Sequence, residues 1–92
     1  MSFVLTYHAK VVSEDIPSLP KAEKSRIKAA IEKKLTKEPE TFGKPLRRSL
    51  NGYRRLHVGD YRVIFRIEKR QVIIFLIAHR SVVYRQTTQR IA

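Results

Sequence analysis

Between Lys44 and Arg66 the chain carries seven lysines and arginines, Lys44, Arg47, Arg48, Arg54, Arg55, Arg62 and Arg66, against a single acid, Asp60. Four of those arginines fall in NGYRRLHVGDYRVIFR, residues 51–66, whose alternating β-branched and aromatic side chains are those of a β-hairpin. Like charges facing one another across a hairpin destabilise it, so their crowding points to a use. Guanidinium meets phosphate through a planar fork of N–H donors. Tyr53, Tyr61 and Tyr84 stand among or near the cations, and bases of single-stranded RNA stack on such rings. Tyr61 is equally suited to a core position with its hydroxyl satisfied. The chemistry implied is the grip of a nucleic-acid backbone.

A second constellation is HRSVVYR, residues 79–85, directly after the most apolar run of the chain. Side chains at the end of a rigid strand are well fixed, which catalysis needs. His79 can titrate near neutrality, Tyr84 can move or orient a proton, and Arg80 can stabilise a charged transition state at phosphorus. His79 can also be a packed or capping histidine. No metal-ligand spacing, carboxylate pair or glycine-rich phosphate loop is present, so no metal and no cofactor is expected. RNA cleavage by this chain would then use the ribose 2'-hydroxyl as nucleophile.

The totals agree with a polyanion target. Twenty Lys and Arg against eight Asp and Glu give a net charge of +12 over 92 residues, and affinity for phosphate backbones comes largely from counterion release. A monomer so charged repels itself, and an acidic protein partner would relieve this. The chain contains no cysteine, which removes disulfides and thiolate chemistry and suits a reducing, cytoplasmic address. MSFVLTYHAK is not a signal sequence and no apolar run reaches membrane-spanning length, so no membrane association is expected.

The elements that must position these residues follow from pattern. Residues 2–7 read as a strand. HAKVVSEDIPSLP holds two or three helical turns before Pro17, with Pro17 and Pro20 as punctuation. Ile27, Ile31 and Leu35 recur every four residues with Ala30 beside them, predicting an amphipathic helix that opens at Pro20 and ends at Pro39. FGKPLRRSL is a connector. Strands are expected over residues 53–58, 61–67 and 71–78, with a turn at Gly59-Asp60. Tyr61, Val63, Phe65 and Ile67 should share one face, and Arg62, Ile64, Arg66 and Glu68 the other. VIIFLIA is apolar throughout, as in an interior strand covered on both sides. The tail SVVYRQTTQRIA is either a short last helix or an extended arm. Residues 1–92 thus form one α+β domain: an N-terminal strand and two helices packed on one face of a mainly antiparallel sheet completed by three C-terminal strands. Its other face is left free for the hairpin arginines.

With GKPLRRSLNGYRRLHVGDYRVIFRI and IAHRSVVYR in view, nearly the whole chain resembles the RelE/ParE superfamily of toxins from toxin–antitoxin pairs, closer to its RelE branch. AKVVSEDIPSLP matches the family's first-helix region, and VGDYRVIF with the HR..VY ending is the specific combination. The resemblance implies a RelE-like fold and a ribosome-dependent mRNA endonuclease. Such an enzyme cleaves in the A site without metal by 2'-hydroxyl attack, leaving a 2',3'-cyclic phosphate. By position, Arg62 corresponds to the strand arginine that contacts the scissile phosphate. Tyr84 corresponds to the C-terminal tyrosine that acts as base or stacking group, and Arg80 lies near the arginine that stabilises the transition state. The family's paired basic residues fall among Arg54, Arg55 and His57. Many relatives read YRLRVGDYR where this chain reads YRRLHVGDYR, placing histidine where arginine is common. A tyrosine base at neutral pH would need the surrounding arginines to favour its phenolate. Lys44, Arg47, Arg48, Arg54, Arg55, Arg66 and Arg85 form the expected RNA-binding set.

The resemblance also implies an acidic cognate antitoxin, action on mRNA at the ribosome, and contact with operator DNA mainly through the antitoxin. Two other readings stand beside the nuclease: a ParE-like DNA gyrase poison with the same fold, and a non-enzymatic basic nucleic-acid-binding protein.

Overall fold

The computed structural model describes residues 2–91. Strand β1, Val4–Tyr7, is followed by helix α1 over residues 9–18, which is wound as a π-helix at Val11–Asp15. There the Ile16 N–H donates to the Val11 carbonyl, five residues back. A regular α-turn would press the Pro17 ring onto the carbonyl four residues before it. The wider winding lies immediately ahead of that proline, and the helix runs past it to Ser18 instead of stopping before it. Helix α2 spans residues 21–35, regular over Lys21–Ala30 and π-wound over Ile31–Leu35. Its stripe of Ile27, Ile31 and Leu35 is buried, as its spacing requires. Pro20 is the residue before the helix, and Pro39 opens a separate helix α3, Pro39–Phe42, whose first turn suits the fixed φ of proline.

The connector contributes a short strand β2, Lys44–Pro45, and a single 3₁₀ turn at Arg48–Leu50. Strands β3, Arg54–Val58, β4, Tyr61–Glu68, and β5, Gln71–His79, come next, and the tail resolves as helix α4, Val83–Ile91. Among the described residues the sheet therefore has five strands, in the order β1-β5-β4-β3-β2. The β1–β5 pair is parallel, and the β5–β4, β4–β3 and β3–β2 pairs are antiparallel. The turn between β3 and β4 is the expected one, with Gly59 at φ +60°. A second glycine is fixed by space, since a Cβ on Gly43 would stand 2.2 Å from the Phe65 ring.

Strand β5 lies between β1 and β4 and is covered on both faces, which accounts for its unbroken apolar run. A bulge divides its side chains between the faces. Ile64 pairs with Leu76 but Phe65 pairs with Ile74, leaving Phe75 unopposed. Val72, Ile74 and Ile77 consequently join Val63, Phe65, Ile27 and Ile31 in the larger core under α1 and α2. Leu76 and Ala78 join Ile64, Leu46 and Val83 in a second, smaller core under α4. The far face of the sheet is thus not free, as expected from sequence, but half occupied by α4. Helix α4 buries Val83 there, and Ile64, Leu76 and Leu46 supply the surface it packs on.

Candidate functional site

The functional side chains stand on the α4 face, and strand periodicity decides which residues reach it. Leu56 and Val58 point into the larger core, so Arg55 and His57 point the other way. Val63 and Phe65 do the same on β4, sending Arg62 and Arg66 to the α4 face. Cross-strand register then sets His57 opposite Arg62, and Lys44 on β2 opposite Arg55. From the first turn of α4, Tyr84 comes down onto this row, and the Arg55 guanidinium donates to its hydroxyl oxygen. Arg55 Nε is buried without a hydrogen-bond partner. Lys44, Arg55, His57, Arg62 and Tyr84 therefore converge from four elements.

The field of this group is strongly positive, and His57 registers it. Partial loss of hydration pushes its pKa below the ordinary 6.5, and the charges of Arg62, Arg55 and Lys44 push it further down. The shift favours the neutral imidazole, the form that can accept a proton. Arg62 is anchored by its own turn, donating to the carbonyl oxygens of Gly59 and Tyr61, each at 2.9 Å. Arg80 holds the same turn from the end of β5: its backbone N–H donates to the Asp60 carbonyl at 2.8 Å, and its exposed side chain lies 3.8 Å from the Asp60 carboxylate. Both arginines of the expected catalytic set thus border one hairpin tip.

Other expected residues are placed elsewhere. His79 sits opposite Tyr61, edge to face at 5.5 Å, on the α1–α2 side of the sheet, with Nδ1 engaged by Ser81. Arg54 also points to that side and donates to the carbonyl of Gly43 at 3.0 Å, tying β3 to the end of α3. Arg47, Arg48 and Arg85 are exposed, the first two on the connector and the third on α4. Arg66 lies on the α4 face, two residues beyond the Arg55–Ile64 pair. Among the described residues, no group of three or more His, Asp or Glu side chains converges as metal ligands.

Sequence reading missed the pair that fixes α4. Asp15 on α1 and Arg90 on α4 form a buried two-pronged ion pair at 2.8 and 3.0 Å. Past the end of β1, the open edge of β5 is closed by the same two side chains. The Ile77 N–H donates to Asp15 at 2.9 Å, and Arg90 donates to the Phe75 carbonyl at 2.9 Å. No local pattern announces a pair 75 residues apart.

A family model described as ParE toxin of the type II toxin–antitoxin system parDE matches residues 10–84. This chain belongs to the RelE/ParE superfamily of toxins. Its similarity is closer to the RelE branch: it is 33% identical over 89 residues to Toxin RelE of Mycobacterium tuberculosis, covering 91% of this chain and 92% of that one. It is 43% identical over 54 residues to Toxin RelG of the same organism, a match spanning 56% of this chain and 62% of RelG, just under two thirds of the relative. The toxin–antitoxin complex RelBE2 from the same organism has a chain that superposes with TM-score 0.81 at 27% identity, over 86% of this chain and 99% of that one. The α+β architecture described above is therefore the RelE-type toxin fold. In this toxin no helix among the described residues is long and apolar enough to cross a membrane.

Proposed function

We propose that this toxin is a ribosome-dependent mRNA endonuclease that cuts in the A site without a metal and is silenced by an acidic cognate antitoxin. The observation that carries the reading is the convergence of Arg55, His57, Arg62 and Tyr84 on one sheet face. In the proposed step the ribose 2'-oxygen attacks the adjacent phosphorus and the bond from phosphorus to the 5'-oxygen breaks. The products are a 2',3'-cyclic phosphate and a 5'-hydroxyl. The 2'-hydroxyl proton goes to a base, and a second proton goes to the leaving 5'-oxygen. Neutral His57 is suited to the first task, and the Tyr84 hydroxyl, oriented by Arg55, to the second, giving its proton to the leaving 5'-oxygen. Arg62, half-buried, and Arg80, exposed, both at the hairpin tip, supply charge to the phosphorane as it forms. The excess of cations draws an acidic antitoxin as well as RNA. The complex would meet operator DNA through the antitoxin, and the free toxin would act in the cytoplasm.

The test is primer extension on a defined message carried by translating ribosomes, with wild type beside Tyr84→Phe and Arg62→Ala. Discrete A-site breaks that vanish in both variants support the reading. Growth arrest without breaks removes it. The ParE description of the matching family model keeps a second reading in view, a DNA gyrase poison. That toxin would trap cleaved DNA while early translation continued, and the same cultures report both.

A further inference from the structure

The ladder of groups on the α4 face continues past Arg55. Just beyond the Arg54–Phe65 pair that ends the β3–β4 ladder, Tyr53 comes beside Arg66. The Arg66 guanidinium lies over the Tyr53 ring, 5.8 Å from its centroid. Behind it, Tyr53 tilts against Phe75 at 5.0 Å between centroids, and Phe75 meets the His8 ring edge to face at 5.2 Å. The bulge in β5 leaves Phe75 unopposed on β4. Tyr53 and Phe75 are half-buried, and the Arg66 side chain is 41% exposed while also reaching Glu68. Arg66 Nε is buried and has no hydrogen-bond partner.

We propose that Tyr53 and Arg66 form a stacking seat for one nucleobase of single-stranded RNA, separate from the groups that act on phosphate. This rests on the reading that the toxin acts on RNA. Packing against the second core explains the rings of Tyr53 and Phe75, but it does not call for a half-exposed guanidinium laid over one of them. Such a pair presents a flat, cationic, partly dry surface. Nucleobases stack on aromatic rings and guanidinium planes alike, with little regard to base identity. Phe75, itself braced by His8, backs the Tyr53 ring, so little side-chain freedom remains to be lost on binding. Position follows from the strand: Tyr53 and His57 are four residues apart, about 13 Å along extended chain. The seat therefore takes a base flanking the scissile bond rather than a base at it.

The experiment measures equilibrium anisotropy of a short, labelled 2'-O-methyl RNA oligonucleotide, which offers no 2'-hydroxyl and is not cut. A single abasic nucleotide is scanned along it. Wild type should lose about tenfold affinity at one position, the scale of one base stacked on an aromatic side chain. Tyr53→Leu should lose about as much on the intact oligonucleotide and nothing further at that position, while Tyr53→Phe restores the wild-type profile. Arg66→Gln, which leaves the packed ring alone, should flatten the same position and decides the matter if Tyr53→Leu does not fold. The proposal is overturned if no abasic position matters to wild type, or if the variants keep wild-type sensitivity at that position. Ribosomal cleavage is scored separately, so a toxin that shows the seat but makes no breaks loses the nuclease reading and keeps the seat.

Discussion

The two faces of this sheet are built to opposite rules. Under α1 and α2 lies a dry, apolar core, and the titratable Tyr7 at its margin is pushed above its ordinary pKa by burial and by Glu32. On the other face a smaller core under α4 is rimmed by Lys44, Arg55, Arg62 and Arg66, and His57 there is pushed the opposite way. The contrast teaches how the site is tolerated. Cations set opposite one another across strands weaken a sheet, and here the same strands are locked from behind by Leu56, Val63, Phe65 and Ile74. One face holds the fold so that the other can hold charge.

The largest effects should come from the holding face. Phe65 is fully buried and packs against Gly43, so Phe65→Ala should cost about 3–5 kcal/mol and lower the urea midpoint accordingly. A change of less than about 1 kcal/mol would mean that the larger core is not what fixes the sheet. Asp15 joins the two faces, since it sits on α1 and holds Arg90 on α4. Asp15→Ala leaves Arg90 buried without its counter-charge, a loss of about 3 kcal/mol. Hydrogen exchange should show the protection of α4 falling more than that of α2. Equal loss in both helices would show that the pair stabilises the whole fold and not the seat of α4.

Substitutions on the charged face should invert that pattern. Arg62 is half-buried, and its two hydrogen bonds go to carbonyls of its own turn, one of them exposed and one partly buried, so Arg62→Ala should change stability by no more than about 1–2 kcal/mol. The saturated cleavage rate should fall about a hundredfold or more, as when one donor to a charged transition state is removed. RNA association should weaken much less, because binding is spread over many phosphates. If Arg62→Ala weakens binding but leaves the saturated rate intact, Arg62 grips RNA and takes no part in the chemical step.

How much of this was legible in the sequence follows the same division. The α2 stripe and the β4 alternation were readable because their spacing maps directly onto a buried surface. The assignment of Arg62 and Arg66 to one face followed from that alternation. Helix α4 was readable only as one of two alternatives for the tail, and its second core was not readable. Among the described residues VYRQTTQRI buries only Val83 and Thr87, and Thr87 hides its hydroxyl by donating to the Val83 carbonyl. The bulge at Phe75 leaves no trace in a run that is apolar at every position. His79 shows a related limit. The end of a strand says that a side chain is fixed, while only register says on which face, and pairing with Tyr61 puts it away from Tyr84.

The smallest effect is also the one that separates the causes acting on His57. Its folded pKa lies below 6.5, so between those two values the unfolded chain holds the proton and the folded chain does not. Any stability contributed by His57 is therefore complete above about pH 6.5 and is lost as pH falls through the folded value. A cleavage rate that needs neutral His57 should fall over the same interval, with its acid limb centred below 6.5. Partial burial leads the causes, and the charges of Arg62, Arg55 and Lys44 follow. Only the charges respond to salt, since about 1 M salt reduces the screening length to about 3 Å. Titration of the His57 ring followed by NMR should show its midpoint rising when salt is added, and rising by a smaller amount in Lys44→Ala, where the weakest of the three charges is removed. A midpoint indifferent to both would assign the whole depression to lost hydration. His57 would then be neutral because of its packing, and the cations beside it would serve the RNA alone.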